Sequence, residues 1–166
     1  MALTAQEQAA YAALAAEKVN TGSGYGKTDF WCVACIVSAA NAIVRISSCY
    51  KAGKSGGGST PKWFWGVEKA NKFSCNDSEC KVLNDLEVQG GGAISAVGNR
   101  LVTYGYHGPC GSCKRVIAEF RNYYGIPASI LYLKDVETVK SDVWPNGTQY
   151  GWSDAVREGN LWVGRF

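Results

Sequence analysis

Two short stretches carry residue types that do chemistry. One is PCGSC, Pro109 to Cys113, where two thiols three residues apart follow a proline at the mouth of an amphipathic segment. Taken alone, such a pair serves as a redox couple, as half of a structural zinc site or as half of a catalytic one, and only a partner elsewhere decides. The other is Asp77-Ser78-Glu79, at the head of an earlier helical segment. Residues i and i+3 share a helix face, so Cys110 and Cys113 can reach one ion, and a helix N-terminus favours the thiolate that zinc needs. If the two helix starts face each other, a carboxylate and two thiolates converge on one metal and leave its fourth position open. A hydrolytic zinc requires that open position.

Other elements must hold these stretches in place. Thr4 to Lys18 is alanine-rich, with Tyr11 and Leu14 at helical spacing and Thr4 as N-cap, which predicts a helix that TGSGYG breaks. Phe30 to Ala42 reads as a second, mostly buried helix, and AIVRISSCY as a strand. Lys51 to Pro61 reads as a flexible loop, and KWFWGVE beyond it as a strand returning to complete a hairpin. Asn76 to Glu87 places Val82, Leu83 and Leu86 at helical spacing and ends in the glycine run Gly90 to Gly92. Arg100 to Tyr106 alternates into a strand, Cys110 to Tyr124 carries Val116, Ile117, Phe120 and Tyr124 on one helical face, and ASILYL is a buried strand. WPNG and YGWSDAVREGNLW read as turn and short helix. This order predicts a three-layer α/β fold, a mixed sheet flanked by helices.

A chain of 166 residues fits one domain that folds without disulfides. Its net charge of +3 is too slight to establish a nucleic-acid partner and does not oppose one. Six Trp, nine Tyr and five Phe, several of them in glycine-rich stretches, suit stacking on flat ligands. Seven cysteines leave one over from full pairing, and the two CxxC pairs lean towards reduced thiols or metal. MALTAQEQAAYAALAAEKV lacks a basic start and an unbroken apolar core, so it does not read as a signal peptide, and no stretch reaches the length of a membrane span.

An x-x-E at one helix start followed by PCxxC at the next is the pattern of zinc nucleobase deaminases, whose first ligand is usually histidine. NDSECKVLNDL and HGPCGSCKRVIAEF carry it here, and from Ala42 to Leu133 the chain resembles the cytidine-deaminase superfamily. Within it, the chain is similar to bacterial toxin deaminases that sit at the C-termini of polymorphic secreted proteins and attack single-stranded DNA. The resemblance implies a deaminase core over 42–133, with 1–41 as an N-terminal helical extension and 134–166 as C-terminal elements. It implies one Zn2+ held by Asp77, Cys110 and Cys113, with Asp77 in place of histidine and Cys75 and Cys80 as competing ligands. Glu79 is then the proton carrier in hydrolytic conversion of cytosine to uracil. Also implied are a monomeric toxin domain secreted within a larger effector, action in the recipient-cell cytoplasm, a cognate immunity protein and no membrane partner. Trp63, Trp65, Phe73, Tyr106 and His107 are candidate substrate contacts, and Asn71 is a candidate hydrogen-bonder to a flipped base or its sugar.

Competing readings stay open at this level. WCVAC, Trp31 to Cys35, is similar to a thioredoxin redox pair, and Cys32 and Cys35 could close a four-thiol zinc site with Cys110 and Cys113. His107 could be a fourth ligand or a solvated loop residue. A non-catalytic, zinc-stabilised module that binds single strands is the alternative from another class, and it differs by a metal closed with four protein ligands. RNA, double-stranded DNA and adenine remain alternative substrates.

Overall fold

Thr4 starts the fold with extended backbone, φ −66° and ψ 161°, and its side chain accepts the Glu7 N–H at 3.1 Å. That cap opens helix α1, Ala5–Gly22, whose buried stripe is Glu7, Ala10 and Leu14. The structure, a computed structural model, describes residues 2–27, 29–53, 78–89, 92–109, 111–134, 137–139, 148–150 and 155–165. The helix ends at Gly22, where a Cβ would stand 2.6 Å from Cys49 Sγ, so only glycine permits that approach.

The segment expected to form a second buried helix is instead strand β1, Trp31–Val37, buried at every position. The physical reason is its place in the sheet. A strand covered on both faces has no polar alternation, and an unbroken apolar run has no period that distinguishes it from a buried helix. Ser38 to Ala42 is the turn that follows, with Ser38 N–H bonded to the Ala42 carbonyl at 2.8 Å and Asn41 at φ 65°. It leads into β2, Ile43–Ile46, and β3, Tyr50–Lys51, both antiparallel to β1. The strand expected over KWFWGVE lies outside the described residues, and the AIVRISSCY strand pairs with β1.

Helix α2 spans Ser78–Val88, β4 Arg100–Gly105, α3 Gly111–Tyr124 and β5 Ala128–Tyr132. Beyond them a short pair, β6 (Glu137–Val139) and β7 (Thr148–Tyr150), forms a separate two-stranded sheet. The C-terminal stretch expected to hold a short helix forms a hairpin, β8 (Val156–Glu158) and β9 (Leu161–Arg165), around Gly159-Asn160. Gly-Asn between alternating runs is a two-residue hairpin signal, and β9 is needed to cover the open edge of β5.

Seven strands make one mixed sheet in the order β2, β1, β4, β5, β9, β8, with β3 also on β1. Only β4 and β5 are parallel, joined through α3. Alternation assigns each strand residue a layer. Cys32, Ala34, Ile36, Leu101, Ile130 and Tyr132 pack with α2 and α3 on one face, and Val33, Cys35, Val37, Val102, Leu131 and Val163 pack with α1 on the other. The result is the expected three-layer α/β arrangement, with β1 from the N-terminal segment near its centre. Fully buried side chains such as Leu83, Ile117 and Phe120 each contribute about 1.5–3 kcal/mol to holding the helices down.

Candidate active site at one edge of the sheet

Register fixes where the two helices begin. Trp31 pairs with Lys51, and Cys32 pairs with Gly105, so the start of β1 and the end of β4 share one edge. The Lys81 ammonium donates to the Lys51 carbonyl at 2.9 Å, which pins the first turns of α2 to that edge. At its far end α2 is held by Arg45, which donates to the carbonyls of Leu86, Gln89 and Gly92 at 2.8 Å each. A cation there also complements the helix dipole. Helix α3 starts six residues after Gly105 and returns to β5, whose Ala128 pairs with Leu101 at the opposite edge. The two helices therefore run parallel and pack against each other, with both N-termini at the edge where β4 and β5 end.

The residues that lead these helices point inward by spacing. Glu79 heads the stripe Val82, Leu83, Leu86, and Cys113 heads the stripe Val116, Ile117, Phe120; all six apolar residues belong to one buried cluster. Cys113 is 3% exposed and Glu79 is half-buried. The Ser78 hydroxyl donates to Glu79 Oε2 at 3.2 Å. Beneath them lies Cys32, whose thiol is pushed well above its ordinary value by burial and then by the Glu79 carboxylate. Glu79, Cys32 and Cys113 thus belong to the same layer.

Of the other expected contacts, Tyr106 packs with the α1-side cluster and His107 follows it at the end of β4. Cys80 is buried in the α2/α3-side cluster. Asp77, Cys110, Cys75, Asn71, Phe73, Trp63 and Trp65 lie outside the described residues. Among the described residues no three of His, Cys, Asp and Glu form a metal-holding group, and two of the three expected ligands are not among them.

Comparison with protein-family models returns no match, and comparison with curated proteins returns none.

Cys32 and Cys35 do not act as a pair. They face opposite layers of β1, and burial pushes Cys35 up to about 12. One metal cannot take both thiols of a strand from its two faces, so the four-thiol arrangement has no geometry here. Lys81, 2% exposed, and Phe30, 41% exposed, were not picked out by sequence pattern, since lysine in a helix and phenylalanine beside a strand normally occupy the reverse settings. No described helix is long and apolar enough to cross a membrane.

Proposed function

We propose that this chain is a zinc-dependent nucleobase deaminase that converts cytosine to uracil in single-stranded DNA, as the toxin domain of a secreted effector countered by an immunity protein. The observation that carries the reading is the shared edge: parallel α2 and α3 start side by side, with Glu79 and Cys113 leading their inward stripes. The donor chemistry fits zinc, which accepts a carboxylate oxygen and two thiolates and keeps a fourth position for water. Asp77, Cys110 and Cys113 would hold it, and when bound it supplies an acidified water at neutral pH.

Glu79 does the proton work. Its carboxylate takes a proton from the attacking water and passes it to the ring nitrogen next to the amino-bearing carbon. It then delivers the second water proton to the amino group, which leaves as ammonia. The half-buried position and the Ser78 hydroxyl keep the carboxylate in one orientation. Unpaired cytosine is favoured because a base inside a duplex must first be flipped out, at a cost of a few kcal/mol. A chain of net charge +3 has little electrostatic means to deform a duplex.

The deciding experiment incubates purified protein with cytosine- and adenine-containing single strands, duplexes and RNA, followed by sequencing. Cytosine-to-uracil changes concentrated in single-stranded DNA are expected. No conversion in any substrate, by protein shown to be folded and zinc-loaded, overturns the proposal.

A further inference from the structure

The same edge carries a second built feature. Phe30, directly before β1, lies parallel to the His107 imidazole, with ring centroids 4.2 Å apart and planes 19° from parallel. Tyr106 meets that imidazole edge-on at 5.1 Å and 82°. Both rings stand on fixed backbone. The Ala52 N–H donates to the Phe30 carbonyl at 2.8 Å, which extends the ladder between β1 and β3. The Tyr106 carbonyl accepts from the Leu133 and Lys134 N–H groups at 3.1 and 2.7 Å.

The imidazole is also oriented. His107 Nε2 lies 3.0 Å from the Lys27 carbonyl, and because a carbonyl oxygen only accepts, Nε2 carries the proton and donates. The turn bearing Lys27 is braced by the Lys18 ammonium, which donates to the carbonyls of Gly22 and Tyr25 at 2.6 and 3.0 Å. That ammonium stands 4.7 Å from the Trp31 ring centroid. Asp29 turns its carboxylate to the Gly26 N–H at 2.8 Å. Lys27, and Lys51 beside Trp31, are both exposed.

Phe30, 41% exposed, stacks on a half-buried and oriented imidazole, and the exposed Lys27 and Lys51 lie on the adjoining segments, an arrangement that fits a planar ring on a polyanionic chain. An unpaired nucleotide answers that description, its base stacking and its phosphates meeting the lysines. Glu79 leads the stripe facing α3, whereas Tyr106, beside the stack, packs on the α1 side. A base on the stack therefore differs from the base offered to Glu79. We propose that Phe30 and His107 form a stacking subsite for a nucleobase flanking the target in the same single strand, an assignment that rests on the proposed function.

The test uses the Glu79→Gln chain, so that bound DNA stays unreacted, with a fluorescent single strand carrying one target cytosine. The strand is either intact or abasic at one flanking position in turn. One flanking abasic site should weaken binding about tenfold, the effect of losing one stacked base. Phe30→Leu, which keeps apolar bulk, should erase that sensitivity, and Phe30→Trp should keep it, with thermal melting used to confirm that both are folded. Undiminished sensitivity in Phe30→Leu, equal losses at every abasic position, or no binding of the strand overturns the subsite. Deamination by the Glu79 chain is measured separately. A chain that deaminates without Phe30-dependent binding loses only the subsite, and one with Phe30-dependent binding but no deamination loses only the reaction.

Discussion

The fully buried Glu7 carboxylate holds Arg165 with both oxygens, Nε donating to Oε1 at 2.9 Å and Nη2 to Oε2 at 3.0 Å. This fork joins the first turn of α1 to the last residue of β9, so the α1 layer is tied to the strand that covers β5. Arg165→Met strands a buried carboxylate and should cost about 3 kcal/mol of stability. Arg165→Lys keeps the charge without the fork and should recover part of the loss. Chemical denaturation measures both, and an unchanged midpoint for Arg165→Met would contradict the role.

Cys32 and Cys35 should be inert as a redox pair. Residues three apart on a strand stand about 10 Å apart at the Cα, beyond the roughly 7 Å limit for a disulfide. Brief iodoacetamide treatment of folded protein at neutral pH, with mass-spectrometric mapping, should leave both unmodified until denaturant is added. A native Cys32–Cys35 disulfide would contradict the strand assignment.

Stability should fall on the alkaline side. Burial pushes the thiols of Cys35 and Cys49 from 9.0 up to about 12 and about 11, and burial with the Glu87 charge raises the Tyr124 phenol from 10.0 to about 12. The unfolded chain releases these protons first, so their contribution is full below pH 9 and is lost as pH rises towards 12. Melting temperatures measured from pH 7 to 11 should be level at first and then decline. A rise above pH 9 would show that these groups are not buried as described.

Glu79→Gln removes the proposed proton carrier and keeps its size. Deamination should drop at least about 100-fold, in line with general acid–base contributions. Zinc content and melting temperature should stay near those of the parent. Parent-level activity in this variant would remove Glu79 from the mechanism.

Helices α1, α2 and α3 were legible because each buries one face and leaves a period in the chain. Strands β1, β4 and β5 are all covered on both sides, but β4 and β5 are short apolar runs of strand length, whereas the apolar run from Phe30 to Ala42 that holds β1 is as long as a helix. The β8–β9 hairpin left a signal in Gly159-Asn160, but one turn does not say which open strand edge it must cover.

For the candidate site, the chain by itself determined that Glu79 and Cys113 each stand first on an amphipathic stripe, since that depends only on spacing along a helix. That the two stripes begin at one edge was decided by tertiary structure, through the Cys32–Gly105 register, the parallel run of β4 and β5, and the Lys81–Lys51 bond. The stacking of Phe30 on His107 arose in the same way. Local pattern reports which face a residue presents, but strand order and register alone bring faces from distant parts of the chain together, because only pairing into a covered sheet satisfies their backbone groups and buries their apolar sides at once.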